Sequence, residues 1–167
     1  MNENNSPKRP RTYEMQRYES ETCIEKYSYM LIRPPRFTYN EEILNPRRKY
    51  KGKYTHSVYN IPFPLSVYTP PSSRYLILYL HGNSSSRYEG FSQLNHLPAD
   101  VGLACFDFAG CGNRYEEEFI SLGKKEAEEV DKAVRFLKEK NHKVAIWGRS
   151  MGAVSYTHLT LPTILLV

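Results

Sequence analysis

A serine flanked by two glycines is the group in this chain best suited to chemistry. The segment Gly148–Gly152 has the spacing Gly-x-Ser-x-Gly and directly follows the short apolar run Val144–Trp147. This spacing predicts a sharp strand-to-helix turn, because the glycines allow the backbone to bend tightly. Such a turn lifts the Ser150 hydroxyl above the strand end, beside the free N–H groups that begin a helix. Ser150 is therefore a candidate nucleophile.

A serine nucleophile needs a histidine that takes its proton and an acid that orients the histidine. In the chain order expected for this turn both come later, but only 17 residues follow Ser150 (167 − 150). His158 is the one histidine among them. Eight positions along a helix would place it roughly 12 Å along the axis from Ser150, which is beyond hydrogen-bond reach. We expect the triad acid and histidine to be absent from this sequence.

Polar loops also follow two other apolar runs. His81–Arg87 comes after Arg74–Leu80, and Asp107–Gly112 comes after Gly102–Phe106. Continuous apolar runs are typical of strands that are covered on both faces. In a parallel sheet the carboxyl ends of such strands form the ligand site. We expect these two loops to lie beside the serine turn.

Helical segments separate the predicted strands. Ser121–Asn141 has its apolar residues on one face, with Ser121 as the expected N-cap, and Gly90–Leu97 is consistent with a short helix. Strands that alternate with helices predict parallel pairing in an α/β sheet. Upstream, Tyr54–Asn60 and Phe63–Tyr68 mix β-branched and aromatic residues and predict an antiparallel hairpin at the sheet edge.

Charge and composition narrow the class of protein. The formal net charge is +5, but the basic residues are scattered apart from Pro7–Arg11 and Pro46–Lys51. Blocks of like charge are usually solvated, so we expect no nucleic-acid partner. Residues 1–22 are polar, with few aliphatic side chains, and predict a disordered basic tail.

The cysteines and the hydropathy point to a reducing compartment. Cys23, Cys105 and Cys111 form neither a disulfide framework nor a metal-binding spacing. An odd number of cysteines without a signal peptide favours the cytoplasm. There is no stretch of about 18 apolar residues that would span a membrane. We expect no transmembrane segment, no metal and no cofactor.

The motifs taken together resemble the α/β-hydrolase superfamily, and in particular a eukaryotic subgroup similar to serine aminopeptidase-like hydrolases. The resemblance runs from about residue 32 to residue 153. It is carried by Ile32–Arg36, His81–Ser84, Asp107–Gly112, Ser121–Gly123 and Trp147–Ala153. It implies an α/β-hydrolase domain over residues 23–153, with a mostly parallel central sheet and flanking helices. The fold would be incomplete, ending just after the serine turn, which is called the nucleophile elbow in this family.

The resemblance also implies roles for individual residues. Ser150 would be the nucleophile, and the backbone N–H groups of Met151 and Asn83 would form the oxyanion hole, in which one donor is worth about 3 kcal/mol of barrier. Alternatively, Asn83 only shapes its turn. His81 and Asp107 are expected to be structural loop residues. Arg149 either marks a subgroup or occupies an exposed turn position without a role.

Residues 154–167 depart from the family pattern. Threonines, a histidine and a proline predict a poor helix there, and residues 154–163 look like a translated sequencing adapter. We therefore expect an artefactual carboxyl-terminal tail.

The function expected from the resemblance is that of a serine hydrolase. It would cleave an ester, thioester or amide of a small-molecule or acyl substrate through an acyl-enzyme, with the 167-residue chain itself inactive. An acyl-protein thioesterase is an alternative within the same fold. A non-catalytic binding module that uses the basic tail is an alternative outside it.

Overall fold

The computed structural model describes residues 38–46, 50, 52–71, 74–117 and 119–164. The predicted tail at 1–22, Cys23, the Ile32–Arg36 motif and the basic residues 47–49 lie outside the described residues.

The described residues form a mixed five-stranded sheet in the order β1-β2-β4-β3-β5. Strands β3, β4 and β5 are parallel, whereas β2 runs antiparallel to both β1 and β4. The strands are β1 Thr55–Asn60, β2 Pro64–Thr69, β3 Tyr75–Leu80, β4 Val101–Phe106 and β5 Lys143–Gly148. The predicted hairpin at the sheet edge and the predicted parallel strands are both confirmed.

In the described part of the chain three helices flank the sheet, and each follows the loop at the carboxyl end of a strand. They are α1 Arg87–Gln93, α2 Lys124–Glu139 and α3 Met151–Ile164. Short 3₁₀ turns occupy Glu41–Leu44, Leu94–His96 and Gly112–Arg114.

Two apolar layers sandwich the sheet. One face packs against α2 and α3 through a core that includes Leu78, Phe106, Val130 and Met151. The other face carries an aromatic layer beneath α1, in which Phe91 packs among tyrosines. Burial on both faces explains why β3 and β4 read as unbroken apolar runs.

Strand β5 is less enclosed than β3 and β4. Among the described residues it pairs only with β3. Its side chains alternate between half-buried and exposed, and Trp147 remains 40% exposed.

The helix bounds differ from the prediction at α1 and α2. α1 begins at Arg87 rather than Gly90. α2 begins at Lys124, and Ser121 is not its N-cap, because Leu122 has φ 58° and Gly123 has φ 150°, which are not helical values. The Ser121 hydroxyl still accepts a hydrogen bond from the Lys125 N–H at 2.8 Å. It therefore satisfies one donor of the first turn from outside the helix.

The prediction of a poor helix after residue 153 is wrong. α3 continues to Ile164, and Ser155 and Thr157 direct their hydroxyls back to the carbonyls of Met151 and Ala153, at 2.8 and 3.0 Å. These bonds satisfy the polar side chains within the helix. Ser155 is fully buried. Tertiary packing therefore overrides the weak helix propensity of this segment.

Candidate active site

The loops that follow β3, β4 and β5 meet at one edge of the sheet. The Phe108 N–H after β4 donates to His81 Nε2 after β3 at 3.1 Å. The Arg149 N–H after β5 donates to the carbonyl of Leu80, the last residue of β3, at 3.0 Å. The convergence predicted from the strand ends is confirmed by these two hydrogen bonds.

Ser150 occupies the turn between β5 and α3 in a left-handed conformation, with φ 52°. This conformation costs a non-glycine residue energy and is typical of functional turns. The side chain is exposed, and none of the hydrogen bonds among the described residues uses its hydroxyl. The turn therefore presents Ser150 to solvent above the sheet.

Both glycines of the motif are required by close backbone packing. A Cβ on Gly148 would lie 2.7 Å from the backbone of Gly152. A Cβ on Gly152 would lie 2.3 Å from the Leu80 carbonyl oxygen. Any larger residue would push the start of α3 away from β3. The Gly-x-Ser-x-Gly spacing thus holds the elbow against the end of the neighbouring strand.

The two expected oxyanion donors lie on the adjacent segments. Met151 is the first residue of α3 and is buried, and no hydrogen bond among the described residues uses its N–H. Asn83 lies in the loop after β3, where its side-chain oxygen accepts from the Ser84 N–H at 2.9 Å. The Asn83 side chain is therefore turned toward its own loop.

His81 is a structural residue, as expected. It is fully buried, its Nδ1 lies 2.7 Å from the Gly82 carbonyl, and its Nε2 accepts from the backbone. These partners fix the neutral tautomer with the proton on Nδ1, and burial lowers the pKa of the imidazole. Both nitrogens are occupied by backbone groups, so this ring is not available as a base.

Asp107 organises the loop after β4, also as expected. Its carboxylate accepts from the Arg87 N–H at 2.6 Å, the Tyr39 hydroxyl at 2.5 Å and the Asn113 N–H at 3.2 Å. Burial and this carboxylate raise the pKa of Tyr39, which therefore stays protonated and donates. A Cβ on Gly112 would lie 2.3 Å from Asp107 Oδ1, so the loop wraps the carboxylate closely.

The other histidines lie on parts of the fold other than the elbow. His56 stacks on Tyr68 at the β1–β2 edge, and His142 precedes β5 at the opposite end of that strand. His158 lies against Gly123 at the start of α2, where a Cβ on Gly123 would be 2.6 Å from its ring. Among the described residues no histidine is hydrogen-bonded to Ser150.

Arg149 has a defined partner that sequence reasoning missed. Its guanidinium lies over Gly82 and pairs with Glu89 of α1, with Nη2 2.8 Å from Oε2 and Nε on Oε1. The expected exposed position is confirmed, since the Arg149 side chain is 52% exposed, but this position also has a defined ion-pair partner. The sequence feature that could have indicated this ion pair is an arginine and a glutamate on segments that follow two neighbouring parallel strands.

Glu89 collects donors from three segments of the site. Besides Arg149 it accepts from the Tyr79 hydroxyl of β3 at 2.7 Å and from the Ser85 hydroxyl. Burial opposes ionisation of this carboxyl, but the hydrogen bonds from Arg149, Ser85 and Tyr79 outweigh it and lower its pKa to about 2. We call Glu89, Arg149, Tyr79 and Ser85 the Glu89 cluster.

The described residues contain neither a candidate metal-binding group nor a candidate membrane-spanning helix. Within these residues no group of three or more His, Cys, Asp or Glu side chains is arranged to hold a metal ion. The same part of the chain contains no helix that is long and apolar enough to cross a membrane.

Solved structures of similar fold include an esterase. TT1662 from Thermus thermophilus aligns with TM-score 0.54 and 21% identity, covering 66% of this chain and 52% of its own. The Pyrococcus furiosus esterase Pf2001 aligns with TM-score 0.54 and 22% identity, covering 76% and 53%. A second crystal form of that esterase gives TM-score 0.55 and 22% identity, covering 78% and 51%. No model of a known protein family matches the chain, and no curated protein matches it.

The fold is therefore the α/β-hydrolase fold, present in part. The chain spans about half the length of the solved structures that it matches.

Proposed function

We propose that Ser150 is the nucleophile of a serine hydrolase that cleaves an ester, thioester or amide bond through an acyl-enzyme. The observation that carries the proposal is the conformation of Ser150 itself: a φ of 52° on an exposed serine between two glycines that no larger residue can replace. A strained serine at a strand-to-helix turn is the arrangement that such nucleophiles need.

The chemistry follows from the surroundings of that serine. Ser150 Oγ attacks the carbonyl carbon of the substrate while a base takes its proton, and that proton then passes to the leaving group. Water hydrolyses the resulting acyl-enzyme. The N–H groups of Met151 and Asn83 stabilise the negative charge that develops on the carbonyl oxygen. The start of α3 adds the positive end of its dipole beside that oxygen.

The base and its orienting acid are proposed to come from residues of the full-length protein beyond these 167. The five histidines of the sequence are His56, His81, His96, His142 and His158, and none is hydrogen-bonded to Ser150 within the described residues. The part of this chain that aligns with the solved structures of similar fold spans only about half of their length. Accordingly, the 167-residue chain is expected to show at most weak turnover.

Fluorophosphonate labelling of the full-length protein tests this proposal. The wild type and the control Ser57→Ala, on the remote strand β1, are expected to be labelled equally, and Ser150→Ala is expected to lose all labelling. A folded wild type that is not labelled, or labelling that persists in Ser150→Ala, would contradict the proposal.

A further inference from the structure

The Glu89 cluster ties together the two segments that carry the proposed oxyanion donors. Arg149 immediately precedes Ser150 and Met151, and its guanidinium lies over Gly82, which immediately precedes Asn83. The contact is close: a Cβ on Gly82 would be 2.8 Å from Arg149 Nη2 and 2.9 Å from Cζ. The guanidinium therefore rests directly on the backbone beside one donor while its own backbone adjoins the other.

Glu89 fixes the guanidinium in this position. Both carboxylate oxygens are engaged by Arg149, which gives the two-pronged geometry that holds a guanidinium plane in one orientation. The same carboxylate receives the Ser85 hydroxyl, and the Ser85 N–H donates to the Gly82 carbonyl at 3.2 Å. The loop after β3 is thus held to Arg149 by their shared partner Glu89 and by the contact with Gly82.

Arg149 is better suited to positioning than to binding an anionic substrate. Its charge is already neutralised by a carboxylate whose pKa is about 2, so that Glu89 stays ionised at neutral pH. The Nε and Nη2 donors are both used by Glu89. An arginine that recognises a substrate carboxylate would instead present the edge formed by Nε and Nη2 to solvent.

We propose that Arg149 is a positioning residue that clamps the Gly82–Asn83 loop to the Ser150 elbow and so sets the spacing of the two oxyanion donors. The catalytic part of this inference rests on the proposed function. The clamp itself does not, because it is defined by the contacts of Arg149 with Gly82 and Glu89. Donor placement matters because a displacement of about 1 Å in an active site costs roughly 100-fold in rate.

Amide hydrogen exchange of the 167-residue chain tests the clamp without requiring activity. Arg149→Ala is expected to speed exchange in residues 82–85 and 150–153 by about tenfold, through local opening. Gly82→Ala should do the same, because its methyl group displaces the guanidinium while its backbone lies outside the left-handed region. The double variant should exchange no faster than Arg149→Ala alone, since both substitutions remove the same contact between Gly82 and Arg149.

The matched control is Arg135→Ala. Arg135 forms an ion pair with Asp131 at 2.7 Å on the exposed face of α2, so its loss should leave exchange in both segments unchanged. Unchanged exchange in Arg149→Ala would overturn the clamp.

Kinetics of the full-length protein test the catalytic consequence. Arg149→Ala is expected to lower the maximal rate of fluorophosphonate inactivation, and kcat for ester hydrolysis, by about tenfold. The inhibitor dissociation constant and KM should change less than twofold, for neutral and anionic esters alike. Arg149→Lys should restore part of the rate, whereas Arg149→Met should not.

The outcomes separate the two proposals. A wild type that is labelled, with an Arg149→Ala variant that reacts equally fast, would overturn the positioning role and leave the proposed function intact. An effect confined to KM for anionic esters would also overturn it, because it would mean direct substrate contact. An unlabelled wild type would overturn the proposed function and the catalytic role together, while hydrogen exchange would still decide whether the clamp exists.

Discussion

Two ionic clusters meet on helix α1, and they differ in burial. Arg87 joins the buried Asp107 with its backbone N–H and has a side chain only 2% exposed. Glu89, two residues later, joins Arg149, whose side chain is 52% exposed. The first cluster holds the loop after β4, and the second holds the elbow after β5. From this difference we expect the first cluster to be required for folding and the second to tolerate substitution while the fold is kept.

The difference follows from the surroundings of each charge. Arg87 is enclosed by Tyr39, Ser66, Glu41 and Asp107, and all of these accept hydrogen bonds from it or lie in ion-pair contact. Removal of one buried partner leaves the other charged and unpaired. Arg149 reaches solvent, and water would replace Glu89 as its partner.

The largest expected effect is that of Arg87→Met. Loss of the buried guanidinium leaves Asp107 without its cation and is expected to cost about 3–5 kcal/mol of unfolding free energy. Urea denaturation of the variant beside wild type and Arg135→Ala measures it. A loss below 1 kcal/mol would mean that the buried cluster is no more important than a surface pair.

Matched alanine substitutions at two glycines give the next effect. Gly112 has φ 53°, and its Cβ would strike the buried Asp107 carboxylate, so Gly112→Ala is expected to cost about 2 kcal/mol or more. Gly82→Ala meets only the flexible end of Arg149 and should cost less than about 1 kcal/mol. Equal losses in urea denaturation would remove the distinction between the two clusters.

The effect expected of Glu89→Gln is also small, and it depends on pH. The folded-state pKa of Glu89, about 2, lies below its ordinary value of 4.5, so the ionised form stabilises the fold. This contribution is complete above pH 4.5 and is lost as the pH falls toward 2. Because Arg149 is half exposed, we expect a difference from wild type of about 1 kcal/mol at pH 7.

Unfolding free energies measured at intervals from pH 7 to pH 3 check this dependence. The difference between the two proteins should narrow as the pH is lowered. A difference that grows on acidification would show that the sign assigned to Glu89 is wrong.

The fold was largely predictable from local patterns, whereas the ionic clusters were not. Apolar runs located both ends of β3, β4 and β5 to within one residue, and for β3 and β4 this is because strands buried on both faces are largely apolar. The helical course of residues 154–164 was not predictable, since it depends on packing against α2 and on hydroxyl bonds within α3. Propensity alone carries neither kind of information.

The serine turn was predictable because five consecutive residues, Gly148–Gly152, determine both its conformation and its reactive group. The partner of Arg149 was not, because Glu89 lies 60 positions earlier in the chain and the two meet only after β3 and β5 have paired. For the same reason the hydrogen bonds around Asp107, including the one from Tyr39, could not be predicted from the sequence.

The most direct test of Ser150 as the nucleophile is to locate the acyl group that forms during turnover. The full-length protein is mixed with p-nitrophenyl acetate, quenched at short times, digested and examined by mass spectrometry. We expect an acetyl group on the peptide that contains Ser150, formed within the burst of product release and absent from Ser150→Ala. A burst with the acetyl group on another residue, or hydrolysis that is unchanged in Ser150→Ala, would contradict the account.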